Sequence, residues 1–145
     1  MKNEKSDPSE KFESIREDLK KIFEERPEVE LAYLYGSVAR GEANKLSDID
    51  LAVYLEKGCD SGSVRMELVS EIASLIDDFD LVILNEARPL MAYNIVKDGI
   101  ILFEESPTMK AEIESNIVRR YLDMKPYLLR HAEEMLNKFA EEGFA

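Results

Sequence analysis

Two aspartates, Asp48 and Asp50, stand two residues apart at the head of an apolar stretch that runs to Leu55. In an extended strand that spacing puts both carboxylates on one face, with their Cα atoms about 7 Å apart. Like charges held that close repel unless a cation lies between them. Hard oxygen ligands suit Mg²⁺, which takes one or two carboxylates together with substrate phosphates. A third acid, Asp80, heads the run Leu81-Val82-Ile83-Leu84. Those apolar residues place Asp80 on a strand, whereas Asp77 and Asp78 read as loop acids. If the two strands are neighbours, Asp80 completes a cluster of three carboxylates able to hold two metal ions for in-line attack at phosphorus.

Upstream lies Gly36-Ser37-Val38-Ala39-Arg40-Gly41. Gly36 follows an apolar strand directly and, lacking a Cβ, permits a sharp turn and close approach of backbone to ligand. Ser37 offers a hydroxyl and the free amide of a helix start, an arrangement that binds phosphate. Arg40, within one turn of Ser37, can fork onto phosphate oxygens. Alone, Gly-Ser after a strand is a turn, Asp-x-Asp is a solvated strand edge, and Arg40 is a surface residue. Strand, Gly-Ser, ten residues, Asp-x-Asp, strand is a specific combination.

The elements that must position these residues are legible from periodicity. Asp7 caps a helix opened by Pro8, with Glu10 three residues on; Phe12, Ile15, Leu19, Ile22 and Phe23 recur at helical spacing until Pro27. Val29 to Tyr35 reads as an interior strand, with Leu31, Tyr33 and Tyr35 on one face and Ala32 and Leu34 on the other. A loop covers Gly36 to Ser47 and a second strand Asp48 to Leu55, with Gly58 to Gly62 a turn cluster. Val64, Leu68, Ile72, Leu75 and Ile76 mark an amphipathic helix, and Asp80 to Leu84 a third strand. Pro89 opens a short helix ended by Gly99, followed by a strand over Ile100 to Phe103. Ser106-Pro107 begins a last helical region reaching Phe139, which Pro126 should kink or split. This alternation predicts an α/β (α+β) domain: a mixed sheet of about four strands flanked by helices. No linker-like composition interrupts it, so residues 1–145 read as one domain with 107–145 as a C-terminal helical region.

The chain has 145 residues, a length suited to one domain, with 45% hydrophobic and 34% charged residues. A net charge of −12 opposes binding to nucleic acid and to anionic lipid, so any anionic ligand must be met by local donors or bound cations. No apolar run is long enough to cross a bilayer, and Met1-Lys2-Asn3-Glu4-Lys5 does not lead into the apolar core of a secretory signal. A single cysteine, Cys59, excludes an internal disulfide and a multi-cysteine zinc site. These features predict a soluble cytoplasmic protein.

The spacing from Gly36-Ser37 to Asp48-x-Asp50, within "LYGSVARGEANKLSDIDLAVYL", resembles the signature of the DNA polymerase β-like nucleotidyltransferase superfamily. The fuller string and the segment "RRYLDMKPYL" look like its minimal nucleotidyltransferase branch, the antitoxin partners of HEPN-domain toxins. The resemblance implies that Gly36 and Ser37 hold the triphosphate of ATP, with Arg40 assisting. It implies that Asp48 and Asp50 coordinate Mg²⁺, and that Asp80 holds the metal near the attacking hydroxyl and helps to remove its proton. Two magnesium ions are expected. The implied reaction moves AMP from ATP to a tyrosine of a HEPN toxin and blocks the toxin's RNase activity.

Two other functions compete. A small-molecule hydroxyl could be the acceptor, but such enzymes carry a further substrate-binding domain that 145 residues barely allow. A module that occludes a toxin, with catalysis dispensable, would not require intact motifs. A polymerase acting on DNA or tRNA conflicts with the acidic charge. His131 and Cys59 read as incidental. Met109, Met124 and Met135 with Tyr121, Leu122, Leu128 and Leu129 form an apolar face, by default core packing and alternatively a docking surface for a toxin dimer. The acids Glu133, Glu134, Glu141 and Glu142 read as a solvated face.

Overall fold

The computed structural model describes residues 8–42 and 48–142. The Asp7 cap, the first five residues and the end of the loop at Ser47 lie outside the described residues. The elements are α1 (Pro8–Glu24), β1 (Val29–Tyr35), α2 (Gly36–Ala39), β2 (Ile49–Leu55), α3 (Ser61–Ala73), β3 (Phe79–Ile83), α4 (Pro89–Asp98), β4 (Ile100–Glu104) and α5 (Pro107–Glu142). A single 3-10 turn, Leu84–Glu86, separates β3 from α4.

The four strands form one mixed sheet in the order β3-β2-β1-β4. β1 is antiparallel to both β2 and β4, and β2 is parallel to β3. Alternation along β1 and β2 sorts side chains to two buried faces. Ala32, Leu34, Leu51, Val53, Leu81 and Ile83 pack with Leu19 and Phe23 of α1 and Leu68 and Ile72 of α3. Leu31, Tyr33 and Ala52 pack on the other face with Ala92 and Ile95 of α4 and Ile113 and Ile117 of α5. The Tyr33 hydroxyl donates to Glu114 of α5, whose other oxygen takes a bond from Lys110 at 3.1 Å. Burial followed by the Glu114 contact pushes the Tyr33 phenol far above its ordinary pKa, so it stays a donor at any working pH.

Several boundaries differ from the sequence expectation for identifiable reasons. The turn cluster around Gly58 contains a helix start: Asp60 accepts from the amide of Ser63 at 3.3 Å and caps α3. β3 ends at Ile83 because Asn85 then pairs with Leu55 as a strand residue would. Its amide oxygen accepts from the Leu55 N–H and its amide nitrogen donates to the Leu55 carbonyl, both at 2.8 Å. Gly99 ends α4 without a left-handed turn (φ −75°). A Cβ there would lie 2.4 Å from the Ile95 carbonyl oxygen, so glycine serves close approach.

α5 is one continuous helix of 36 residues, so Pro126 does not split it. Pro126 cannot donate to the Leu122 carbonyl, but every residue from Leu122 to Glu142 is exposed, so water can satisfy that group. This exposure also corrects the default reading of the apolar face. Met109 packs against the core, whereas Leu122, Met124, Leu128, Leu129 and Met135 are exposed. Interior proline costs a helix roughly 3 kcal/mol relative to alanine. Pro126→Ala is therefore expected to raise amide protection across Leu122 to Arg130, read by hydrogen exchange, with little change in the sheet.

Candidate active site

Antiparallel pairing brings the C-terminal end of β1 beside the N-terminal end of β2. Parallel pairing brings the N-terminal end of β3 to the same place. At this end of the sheet Tyr35 stands opposite Asp50, and Asp50 stands opposite Asp80. Neighbouring strands lie about 4.8 Å apart, so the two carboxylates rise side by side from one face. This is the face of Leu31, Tyr33 and Ala52, on which α4 and α5 pack. Asp48 immediately precedes β2 and shares the sense of Asp50 by the two-residue period. Asp48 and Asp80 are exposed, whereas Asp50 is half-buried.

The electrostatics follow from this arrangement. Desolvation raises the pKa of Asp50, and the charges of Asp80 and then Asp48 raise it further, while Arg40 draws it down. Tyr35, also desolvated and facing Asp50 and Asp80, is pushed up to about 12 and keeps its proton at neutral pH. Asp50 therefore feels both neighbouring carboxylates, and Arg40 lies within range of it.

The chain turns sharply over Asp50. Gly36 has φ +78°, and a Cβ built on it would lie 2.1 Å from Asp50 Oδ2. Both facts require glycine: a side chain would meet the carboxylate, and the left-handed backbone would strain it. Ser37 follows, half-buried, in the single turn of α2, whose first amides have no intrahelical acceptor. Arg40 closes the turn by donating its N–H to the Gly36 carbonyl at 3.1 Å. Its Nε is engaged by Glu42 at 2.9 Å in an exposed ion pair, a weak tie that a phosphate can displace.

The donor set fits magnesium. It consists of carboxylate oxygens, one partly desolvated and crowded by like charge, so that a divalent cation would relieve a repulsion already built in. Among the described residues no three His, Cys, Asp or Glu side chains are gathered into a group that could hold a metal ion by themselves. Magnesium does not need such a group, because phosphate oxygens and water supply its remaining ligands.

Beside this cradle lies a cavity of about 380 Å³ between α2 and α4, bounded by Tyr35, Gly36 and Arg40 on one side and by Arg88, Met91 and Asn94 on the other. Sequence reasoning missed Tyr35 as a site residue and missed the α4 residues altogether. Tyr35 could have been found from its place directly before Gly36. Arg88 carried a weaker signal, as a cation immediately before the helix-opening Pro89 in an acidic chain. His131 lies on the exposed part of α5 and Cys59 in the turn before α3, both away from the site. Among the described residues no helix is long and apolar enough to cross a membrane.

The family described as Polymerase beta, Nucleotidyltransferase matches residues 17–108, from α1 to the first turn of α5. A protein adenylyltransferase MntA of Shewanella oneidensis is 38% identical over 74 residues, covering 50% of this chain and 52% of that protein. A protein adenylyltransferase MntA of Aphanizomenon flos-aquae is 30% identical over 101 residues, covering 63% of this chain and 67% of that protein. The match thus spans about half the length of the first relative and two thirds of the second. A crystal structure of a toxin-antitoxin with AMP-PNP superposes with a TM-score of 0.67 at 25% identity, covering 88% of this chain and 98% of that chain.

Proposed function

Because this chain belongs to the polymerase beta nucleotidyltransferase family, we propose that it is a magnesium-dependent protein adenylyltransferase of the antitoxin type. It would move AMP from ATP to a tyrosine hydroxyl of a cognate HEPN toxin and so silence that toxin's RNase activity. The observation that carries this reading is the register of Asp50 with Asp80, under a glycine turn packed on the Asp50 carboxylate. Two relatives named protein adenylyltransferase, and a similarly folded toxin-antitoxin structure with AMP-PNP, support an adenine nucleotide as donor and a protein as acceptor.

Each residue has a role in that reaction. The Ser37 hydroxyl and the leading amides of α2 hold the β- and γ-phosphates, and the Arg40 fork neutralises them. Asp48 and Asp50 would hold magnesium, with Asp80 available to a second ion. Bound there, magnesium would supply charge neutralisation on the phosphate oxygens and lower the pKa of the acceptor hydroxyl. Asp80 takes the proton of the acceptor. The acceptor oxygen then bonds to the α-phosphorus, the bond from that phosphorus to the β-phosphate bridge breaks, and pyrophosphate leaves. Most of this work is positioning and charge compensation, which suits a site of fixed carboxylates on adjacent strands.

The exposed half of α5 is the proposed toxin-docking surface. Leu122, Leu129 and Leu136 recur every seven residues, and Leu129 and Leu136 are 61% and 70% exposed. An apolar stripe at that period suits a helix of a partner. Beyond its first turn, α5 also lies outside the family match, where a specific partner would be read.

The test incubates the chain with ATP, Mg²⁺ and the cognate toxin and weighs the toxin. A gain of one or more AMP units is expected. Leu129→Asp with Leu136→Asp should lower toxin affinity by about a hundredfold or more, since buried apolar anchors dominate such contacts. A tight complex that inhibits the toxin without any mass gain would replace this reading with neutralisation by occlusion.

A further inference from the structure

We infer that the cavity between α2 and α4 is the nucleobase pocket, and that Asn94 selects adenine within it. This rests on the reading of the site as a nucleotidyltransferase and specifies its substrate. The cavity is continuous with the phosphate cradle, since Gly36 and Arg40 border both. A nucleotide whose phosphates lie on the α2 turn has its base within reach of α4. At about 380 Å³ the space falls in the range of roughly 300–1,000 Å³ usual for small-molecule pockets.

The α4 wall has the chemistry a base requires. Met91, Asn94 and Ile95 are spaced three and four apart, so they share one side of the helix. Leu90 and Met91 are large, exposed apolar side chains, 46% and 39% accessible, beside a cavity in an otherwise acidic protein. They offer an apolar surface to a flat ring. Asn94 presents both a donor and an acceptor. That pair matches the amino group and N7 of adenine, and mismatches the same edge of guanine, where N7 and O6 are both acceptors and no donor faces the amide oxygen. α4 is itself held in place by buried Ala92 and Ile95, and by stacking of Tyr93 on Tyr121 of α5 with ring centroids 4.1 Å apart. The helix that carries the wall is therefore anchored both to the sheet and to α5.

The experiment measures displacement of a fluorescent ATP analogue in the presence of Mg²⁺ by ATP, GTP and inorganic tripolyphosphate, which has no base. In the unaltered chain all three should compete, with ATP the strongest. Asn94→Ala should weaken ATP by about tenfold, the scale of one bidentate base contact, and bring it close to GTP while tripolyphosphate competes as before. Met91→Asp should weaken ATP and GTP together and again leave tripolyphosphate unchanged. Both positions are exposed, and circular dichroism checks that each variant folds. If both variants bind ATP as the unaltered chain does but lose transfer to the toxin, the cavity receives the acceptor and the inference is overturned. An equal loss for tripolyphosphate also overturns it, because α4 would then act through the phosphate cradle. Should neither ATP nor tripolyphosphate bind the unaltered chain, the nucleotidyltransferase reading itself falls, and this inference with it.

Discussion

Asp50→Asn should reduce AMP transfer by at least about a thousandfold, the scale on which a charge-stabilising group is lost from a phosphoryl site, and should at the same time make the ligand-free protein more stable. The first effect follows from the place of Asp50 between Tyr35 and Asp80 and beneath Gly36. An amide of the same shape keeps the packing and removes the charge that would hold the cation. The second follows from the direction of its pKa. Burial, Asp80 and Asp48 all raise it. A carboxyl whose pKa is raised by folding binds its proton more tightly when folded. Its ionised form therefore opposes folding. That penalty is absent below the unfolded pKa, grows as the pH rises from the unfolded to the folded value, and is complete above the folded value. The variant should melt higher than the original at pH 7 without metal, and the gap should close in acid. Added Mg²⁺ should stabilise the original chain and not the variant. Thermal melts at two pH values, with and without metal, beside a mass-based transfer assay, check all three statements. A variant that melts lower at pH 7 would mean that Asp50 is not under the repulsion described.

Gly36→Ala tests the other half of the site. The new Cβ would enter at 2.1 Å from Asp50 Oδ2 and 3.1 Å from its Cγ, at a backbone φ of +78°. Real side chains do not approach so closely, so either the turn or the carboxylate must move. Displacement of a reacting group by about 1 Å costs on the order of a hundredfold in rate, and transfer should fall by at least that much. The left-handed backbone adds roughly 1–2 kcal/mol of destabilisation for alanine. The two causes separate in a double-mutant cycle. In an Asp50→Ala background the oxygen and Cγ are gone, and only the milder 3.3 Å contact with the retained Cβ and the backbone strain remain. Gly36→Ala should then destabilise measurably less than it does in the original chain. Equal destabilisation in both backgrounds would assign the whole effect to backbone strain and remove the steric argument.

These two residues also show what was readable before folding. Gly36-Ser37 and Asp48-x-Asp50 were legible because their meaning is local. A glycine after an apolar strand marks a turn, and a two-residue spacing fixes a shared face whatever the strand pairs with. The helix stripes and β1 were legible for the same reason, since Val29 to Tyr35 is apolar on both faces and is buried on both. Helix ends were less so. Ser61 and Gly62 look like turn residues until Asp60 is seen capping them, and Asn85 gives no sign that it will bond both backbone groups of Leu55.

By itself, then, the sequence determined the alternation of elements, the glycine turn and the paired aspartates, because each depends on side-chain periodicity and backbone sterics within about ten residues. Only the tertiary structure decided that β3 pairs with β2 in the register that stands Asp80, already singled out by the apolar run after it, opposite Asp50. It also decided that Tyr35, Arg88 and Asn94 share a cavity, and that Leu129 and Leu136 lie exposed rather than in a core. Register between strands and the packing of one helix over another are set by contacts between residues far apart in the chain, and a local pattern carries no record of which distant partner wins.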